Sequence, residues 1–470
     1  MTASNQLPPR RITNFAASDR YRQAVHGAIV GGAHTYSKGD DQFPALAPGA
    51  IARGKGGRVW DLDGNEYVDC ALGLGAVSLG HAYEPVLAAV RAELEKGAAF
   101  ARPAAVELDL ACDILDLMPG MERVKFAKNG SNVTTAAVKL ARAYTGRELV
   151  AFPGNHPFYS FDDWFIGSTV VRSGVPEPVR RLSLTYDSRD PDTLERLFAA
   201  HPQQIACVIT EPEDAIPNPP EVIARVQRIA KRHGAVFILD EMVTGFRAGL
   251  PGAYTEIGLE PDLTTWGKAI GNGFSFCVLA GKAAIMDLGG IRQTSAPRVF
   301  LLSTTHGGEA HVLAAARAVL SEYRKKPVIA RHRALVAAVA EGMRKSIADH
   351  RLSSAIEMHV VPWRVLLVCR DRTGAVSAPL RTLLMQEMIG QGALFQGFFL
   401  PCFSHSDADV AVVLTAFDKA CAVYAHALDQ GIGDLLTGDP ARPVFRKYNA
   451  CRITCPAEPC PHEAQCREAS

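Results

Sequence analysis

The sequence lacks several features that would each point to a class of function. It has no excess of charge, because 50 Lys and Arg residues balance 49 Asp and Glu residues. Nucleic acid and anionic membrane surfaces are therefore not predicted as partners, since both attract strongly basic proteins. There is no uninterrupted apolar run of about 18 residues, and no apolar stretch follows Arg10 and Arg11, so we expect neither a membrane span nor a secretory signal. These absences favour a cytoplasmic protein that binds a small molecule.

Nucleotide and metal motifs are also incomplete. Residues 49–55 begin like a phosphate-binding loop, but Gly56 stands where Ser or Thr is required, and no zinc-protease pattern occurs. Near the end of the chain a group of thiols and one imidazole could bind zinc or an iron-sulfur cluster; it consists of Cys451, Cys455, Cys460, Cys466 and His462. Their spacing matches no known zinc ribbon or ferredoxin run, so we predict no metal site and favour reactive thiols in a loose tail.

What is present is a regular alternation of strand-like and helix-like segments from about Trp60 onward. Residues 205–209 (Ile-Ala-Cys-Val-Ile) and 235–239 (Ala-Val-Phe-Ile-Leu) are short and continuously apolar, as strands covered on both faces must be. Residues 219–233 between them predict a helix that ends before Gly234. The pattern predicts an α/β fold with a large, mostly parallel sheet.

The same pattern suggests four parts. Residues 1–59 form an N-terminal segment that belongs to a small domain or a substrate entrance. Residues 60–325 form the large domain, and residues 326–436 form a smaller domain of helices and strands. Residues 437–470 are rich in Pro and Cys without apolar periodicity, which predicts an irregular or mobile tail.

Acidic residues follow both predicted strands. Glu211 follows the first strand, and Asp240 and Glu241 follow the second. Ligands of open α/β sheets bind beyond the carboxyl ends of the strands, so chemistry is expected there. An ionised Asp240 suits the protonated ring nitrogen of a pyridine cofactor, which can then draw electrons from a substrate. The alternative is a strand-end acid that only caps the next helix.

Lys268 has unusual surroundings for a lysine. It follows a strand-like run and is flanked by Gly267, Gly271 and Gly273. Glycines let backbone and ligand approach closely, and a lysine drawn into a confined site can bond an aldehyde and carry a proton. We predict that Lys268 forms the Schiff base with pyridoxal 5'-phosphate; the alternative is an ordinary solvated surface charge.

A phosphate site is predicted at residues 129–132 (Asn-Gly-Ser-Asn). They follow a strand-like run at 124–127 and open a predicted helix at 133–144. Free amides at a helix start, a glycine and a hydroxyl suit a phosphate dianion, so Gly130, Ser131 and Asn132 are candidate ligands. Taken alone, the pattern is more often a simple helix cap by Ser131 or Asn132.

With these segments in view, the chain resembles the class III aminotransferases, nearest to their glutamate-1-semialdehyde aminomutase branch. The resemblance runs from about Gly31 to Leu428 and rests on residues 56–69, 79–82, 140–147, 235–247, 262–274 and 303–309. It implies the type I fold of pyridoxal-phosphate-dependent transferases, pyridoxal phosphate as cofactor, and a homodimer with active sites at the interface.

The resemblance also implies roles for the residues at matching positions. These are phosphate binding by Gly130 and Ser131 and by Thr305 of the neighbouring subunit, a place near the phenolic oxygen for Glu211, packing on the ring for Met242, and ring stacking for His156, where the family usually has tyrosine. His156 could equally be a loop histidine without a role in the site.

Departures from the aminomutases concern the substrate. Where those enzymes carry an arginine for the substrate carboxylate, this chain has Lys38, which lacks the two-pronged guanidinium geometry. His34, Thr35, Tyr36 and Lys38 suit a hydroxyl-rich acceptor such as an oxidised sugar, with glutamate as the expected amino donor. This variant pattern resembles aminotransferase-like proteins of polysaccharide and aminoglycoside pathways. The alternative is intramolecular amino transfer by a glutamate-1-semialdehyde 2,1-aminomutase. A cofactor-binding DNA regulator is disfavoured because the residues before Gly31 are too few for a helix-turn-helix domain.

Overall fold

A computed structural model describes residues 7–155, 158–213 and 218–452. These residues fall into two compact units. We call the residues up to Leu74, Gly80–Ala82 and the residues from Ala330 onward the terminal unit. We call Gly75–Leu79 and Tyr83–Ile329 the central unit.

The elements alternate along the chain as the sequence predicted. The strands are β1 Ile51–Lys55, β2 Arg58–Asp61, β3 Glu66–Asp69, β4 Arg123–Ala127, β5 Leu149–Pro153, β6 Ser183–Tyr186, β7 Ile205–Thr210, β8 Val236–Asp240, β9 Leu263–Trp266, β10 Cys277–Gly281, β11 Ile356–Val361, β12 Arg364–Cys369, β13 Ala393–Leu394 and β14 Phe398–Phe399. The α-helices of eight residues or more are Ala16–Val25, Glu84–Leu94, Ala105–Leu115, Gly130–Thr145, Asp192–Ala200, Pro220–Arg232, Ala310–Lys325, Val328–Asp349, Ala378–Gly390 and Asp407–Gln430.

The central unit is built on a seven-stranded sheet of order β4-β10-β9-β8-β7-β5-β6. Strands β9, β8, β7, β5 and β6 pair in parallel, whereas β10 is antiparallel to β9 and β4. Every residue of β7 and β8 is buried, which explains why both strands are continuously apolar. The predicted α/β class with a large, mostly parallel sheet is confirmed.

The helix between β7 and β8 shows why the secondary structure of this part could be predicted from the sequence. It runs from Pro220 to Arg232 and buries Ile223, Val226 and Ile229, which recur at helical spacing on one face. Strand β8 then runs on to Asp240, so this carboxylate belongs to the last residue of the strand. The strand therefore delivers the Asp240 side chain directly to the carboxyl edge of the sheet.

The terminal unit contains two smaller sheets, of order β1-β2-β3-β13 and β11-β12-β14. The residues 60–74, which the sequence suggested as the start of the large domain, lie in this unit. The reason is a long-range pairing, because β3 is joined in parallel by β13 and its Val68 faces Ala393. Nothing local to residues 60–74 encodes that partner.

The helix Asp407–Gln430 is long and apolar enough, by length and composition, to cross a membrane. The expectation concerned an uninterrupted apolar run, and in this helix Asp418 and Lys419 interrupt the apolar sequence. The helix nevertheless contributes Phe417, Cys421 and Tyr424 to the core of the terminal unit, and Tyr424 donates a hydrogen bond to the Arg370 carbonyl at 2.8 Å. Helices at the core of globular proteins commonly pass the same test, so the finding is weak evidence for a membrane span.

The described part of the C-terminal segment, residues 437–452, contains neither helix nor strand. It is nonetheless bonded to the helix Ala378–Gly390: the amide of Thr437 donates to Gln386 at 2.9 Å, and the amide of Ala441 donates to the Thr382 hydroxyl at 2.9 Å. Backbone that is hydrogen-bonded to a buried helix is ordered without regular secondary structure.

Candidate active site

Lys268 lies on a sharp turn at the end of β9. Its φ of 48° is in the left-handed region, and the 3-10 helix Lys268–Gly271 follows at once. Glycine is required at position 267, because a Cβ there would overlap the sulfur atoms of Met242 and Cys277. Burial lowers the pKa of the Lys268 amine, although the carboxylates of Glu211 and Asp240 oppose that shift. The turn therefore favours a lysine that is less protonated than one in solution.

Asp240 is buried at the carboxyl end of the neighbouring strand β8. Its Oδ1 accepts two hydrogen bonds, from the Thr265 hydroxyl at 2.8 Å and from the Met242 amide at 2.9 Å. Its Oδ2 accepts none from the described residues. Burial, followed by the nearby charge of Glu211, raises the pKa of Asp240 to about 6. One carboxylate oxygen is thus fixed by the protein and the other is left for a ligand.

Glu211 follows β7, the strand next to β8, so the sheet brings three of the predicted residues together. Its charge acts on both Asp240 and Lys268. Its backbone amide donates to the Tyr159 hydroxyl at 3.2 Å. The acid beside Asp240, Glu241, instead accepts hydrogen bonds from the amides of Ala253 and Tyr254 at 3.1 and 2.7 Å and so fixes a local turn.

The predicted phosphate site is the start of the helix Gly130–Thr145, which begins three residues earlier than the sequence suggested. The N-cap is Asn129, whose side chain accepts from the Asn132 amide at 3.1 Å, so the proposed caps Ser131 and Asn132 were wrong. The amides of Gly130 and Ser131 donate to no described residue. Asn132, with its amide already bonded, has only its side chain to offer.

Met242 joins this helix start to the lysine turn. Its methyl carbon would lie 3.0 Å from a Cβ added at Gly130, and its sulfur would overlap one added at Gly267. The Ser131 hydroxyl accepts from the Phe161 amide at 3.0 Å and keeps its own proton to donate. The helix start, Met242 and the Lys268 turn therefore form one continuous wall.

Thr305 lies in an exposed bend of the central unit. The bend is anchored near the end of β4 by an ion pair of 2.6 Å between Lys128 and Glu309. Burial opposes ionisation of Glu309, but hydrogen bonds from Lys128 and from the Gly307 amide lower its pKa to about 2. A loop held at its base with its tip exposed is suited to reach another molecule.

The remaining predicted residues belong to other parts of the chain. His34, Tyr36 and Lys38 belong to the terminal unit, where Tyr36 is exposed and Tyr36–Lys38 form a short 3-10 helix. His156 lies outside the described residues, as do Cys455, Cys460, His462 and Cys466. Cys451 is buried. No group of His, Cys, Asp and Glu side chains suited to a metal occurs among the described residues.

Sequence reasoning missed several residues that shape the site. Thr265 binds Asp240, Tyr159 binds the Glu211 amide, and Asn272 binds backbone amides of residues 78 and 79. Arg247 is a buried arginine with no acidic partner among the described residues. Thr265 carries a detectable signal, since a hydroxyl in a buried strand must find an acceptor.

Comparison with known proteins gives one consistent family. Residues 36–357 match the model of the family described as aminotransferase class-III. The chain is 36% identical over 304 residues to a glutamate-1-semialdehyde 2,1-aminomutase of Chloroflexus aggregans, covering 61% of this chain and 67% of that protein. It is 32% identical over 406 residues to a protein of the same name from Anaeromyxobacter sp. strain K, covering 80% and 91%.

Solved structures show the same fold at lower identity. A transaminase with pyridoxal phosphate bound superposes with a TM-score of 0.79 at 21% identity, covering 89% of this chain and all of the other. A glutamate-1-semialdehyde aminomutase from Pseudomonas aeruginosa PAO1 gives 0.74 at 23% identity, covering 87% and 94%. The predicted fold of pyridoxal-phosphate-dependent transferases is thereby confirmed.

Proposed function

The chain belongs to the class III aminotransferase family of pyridoxal-phosphate-dependent enzymes, and we propose that it moves an amino group from glutamate to the carbonyl of a hydroxylated, sugar-like or aminoglycoside-like acceptor. The observation that carries the catalytic part is the pairing of Lys268 and Asp240 at the ends of adjacent strands. The acceptor class rests on the polar residues His34, Tyr36 and Lys38.

The residues present fit the cofactor. Asp240 keeps Oδ2 free of described protein partners, which suits a ring nitrogen, and the unbonded amides of Gly130 and Ser131 suit a phosphate. Gly130 and Gly267 let the Met242 side chain pack closely between the helix start and the lysine turn, because a Cβ at either position would meet that side chain. In this proposal Met242 packs on the flat ring. In this proposal Glu211 lies beside the ring oxygen. His156 remains a proposed stacking residue.

Chemistry follows from this arrangement. When bound, pyridoxal phosphate supplies an aldehyde for the amino group and a ring that accepts the electron pair of a departing proton. Lys268 would hold the aldehyde until the substrate amine displaces it, and the freed Nζ, whose pKa burial lowers, would then take and return the substrate proton. Asp240 keeps a negative charge at the ring nitrogen, where electron density accumulates. In this proposal the Met242 side chain covers one face of the cofactor ring and keeps water from it.

A second candidate is intramolecular amino transfer, because the relatives named above are glutamate-1-semialdehyde 2,1-aminomutases. A mutase needs no external donor, and its substrate carries a carboxylate. Lys38 can hold a carboxylate only as a point charge, without the paired hydrogen bonds of an arginine. This difference in chemistry makes the two candidates separable by experiment.

The test is to load the purified enzyme with pyridoxamine phosphate and offer oxidised sugars, keto acids and glutamate semialdehyde. We expect the absorption of the aldehyde form of the cofactor to return with an oxidised amino sugar, and steady turnover to require glutamate. A Lys38→Arg variant should respond better to glutamate semialdehyde than the wild type. Formation of 5-aminolevulinate from glutamate semialdehyde alone, without response to sugars, would overturn the proposal in favour of the mutase.

We also propose a homodimer whose sites are completed by Thr305 of the neighbouring subunit, in support of which the Thr305 bend is exposed and anchored at its base. A mixture of Lys268→Ala and Thr305→Ala subunits should recover about a quarter of wild-type activity, because half of the dimers are hybrids and each hybrid has one intact site. A mixture of Lys268→Ala and Asp240→Ala subunits is the control. Lys268 and Asp240 of one site come from the same subunit. Each of the two sites in a hybrid dimer therefore lacks either Lys268 or Asp240, and no activity should return. Equal recovery in both mixtures, or none in either, would contradict the role of Thr305.

A cytoplasmic location is part of the same proposal. The cysteines of the described chain form no disulfide, as is usual for proteins kept in a reducing compartment. Fractionation of cells that express the protein tests this location.

A further inference from the structure

Arg247 is the feature of the central unit that the proposed chemistry does not use. Its side chain is 1% exposed. Its Nη2 donates to the Gly75 carbonyl and its Nη1 donates to the Val243 carbonyl at 3.3 Å, while Nε has no partner among the described residues. A buried guanidinium without a carboxylate is costly, because neither hydrogen bond supplies an opposite charge.

The segment that Arg247 binds is also bonded to the lysine turn. The amides of Ser78 and Leu79 donate to Asn272 Oδ1 at 3.0 and 2.9 Å, and the Ser78 hydroxyl donates to the Ala269 carbonyl at 3.1 Å. The segment Gly75–Leu79 is therefore held by Arg247 at one end. At its other end it holds the residues that directly follow Lys268.

The charges that act on Lys268 come from several elements. Burial has the largest effect and lowers the pKa of Lys268. Glu211, Asp240 and Cys277 act in the opposite direction, whereas Arg247 also lowers it. Burial lowers the pKa of Arg247 itself, but only to about 10, so its charge is present at neutral pH. Arg247 is the one cation among these four groups.

We propose that Arg247 is a positioning residue for Lys268: through Gly75–Leu79 it fixes the lysine turn, and it places a positive charge where that charge acts on the lysine amine. This inference rests on the proposed role of Lys268. A neutral amine is the form that bonds an aldehyde and accepts a proton, so the inference explains why an unpaired buried charge is kept near the site.

The experiment measures the pH dependence of Lys268 acetylation by trace acetic anhydride in the cofactor-free protein, with peptide mass spectrometry. Arg247→Met should move the midpoint to higher pH and slow labelling at pH 8 by up to about tenfold, the effect of one pKa unit. Arg247→Lys keeps the charge, so its midpoint should stay near the wild-type value while kcat falls and KM for the donor changes little.

The matched control is Arg142→Met. Arg142 is another arginine of the central unit with a buried, unbonded Nη2, but it donates to the Glu148 carbonyl and is not among the charges that act on Lys268. It should lose stability without moving the Lys268 midpoint. A wild-type midpoint in Arg247→Met, or an equal shift in Arg142→Met, would overturn the inference.

If Arg247→Met does not fold, Asn272→Ala tests the hydrogen-bonded segment Gly75–Leu79. A kcat of Asn272→Ala at the wild-type level would then overturn the inference. The labelling does not depend on amino transfer, so failure of the proposed reaction would be seen separately.

Discussion

Replacement of Lys268 by alanine is expected to lower amino transfer by at least about 10⁴-fold, because the variant would lose both the amine proposed to hold the cofactor aldehyde and the group proposed to move the substrate proton. The fold should survive, since the Lys268 side chain makes no hydrogen bond with a described residue. Visible absorption of the bound cofactor and its fixation by borohydride, mapped by mass spectrometry, check the prediction.

Lys282→Ala is the matched control. Lys282 is a second lysine of the central unit, also placed just after a strand, but it forms an ion pair with Asp262 at 2.8 Å and its pKa is raised by that bond. Lys282 is protonated and already paired with Asp262, so its removal should leave activity within a few fold of wild type. Recovery of the borohydride label on Lys282, or on any lysine other than Lys268, would contradict the assignment.

The contrast between these two lysines shows what the sequence could and could not predict. Lys268 could be proposed as a site residue because the glycines around its turn are its neighbours along the chain. Asp240 could be proposed because an apolar strand is followed directly by an acid, and the carboxyl ends of strands in parallel sheets face the ligand. Both signals are local, so they survive in a single sequence.

The missed features depend on partners that are distant along the chain. Asn272 was not singled out from the sequence; its φ of 43° lies in the left-handed region, and its side chain accepts from the amides of Ser78 and Leu79. Arg247 was given no role from the sequence either, although its buried side chain donates to the Gly75 carbonyl. No periodicity or spacing encodes such pairings, since they arise only when the sheet brings its loops together.

Replacement of Asp240 by asparagine is expected to separate stability from activity. Ionisation of Asp240 is disfavoured in the folded protein, where its pKa is about 6 against an ordinary value of 3.8. Between pH 3.8 and about pH 6 the folded state therefore holds a proton on Asp240 that the unfolded state has released. The free energy of unfolding falls as the pH rises through this range. Above pH 6 the shifted pKa lowers the free energy of unfolding by up to about 3 kcal/mol.

Asparagine removes that cost and preserves the local bonds. Its Oδ1 can still accept from the Thr265 hydroxyl and the Met242 amide, which both bind Oδ1 in the wild type. Cofactor-free Asp240→Asn protein should therefore unfold at higher denaturant concentration than wild type at pH 8, with little difference at pH 4. Asp262→Asn is the control: it breaks the ion pair with Lys282 and should lower stability at pH 8.

Activity should move the other way. Without a negative charge at the ring nitrogen, the Asp240→Asn variant loses a charged hydrogen bond worth about 1.5 to 3 kcal/mol, and more where electron density accumulates in the transition state, so kcat should fall by about 100-fold or more. Bound cofactor should also reverse the stability gain, because the ionised wild-type carboxylate then has a cation to pair with. A variant that is more stable without cofactor and still turns over normally would show that Asp240 is a buried strand-end acid with no part in the chemistry. An Asp240→Asn variant that is less stable than wild type at pH 8 would show that the charge of wild-type Asp240 is already compensated within the protein, by Lys268 above all.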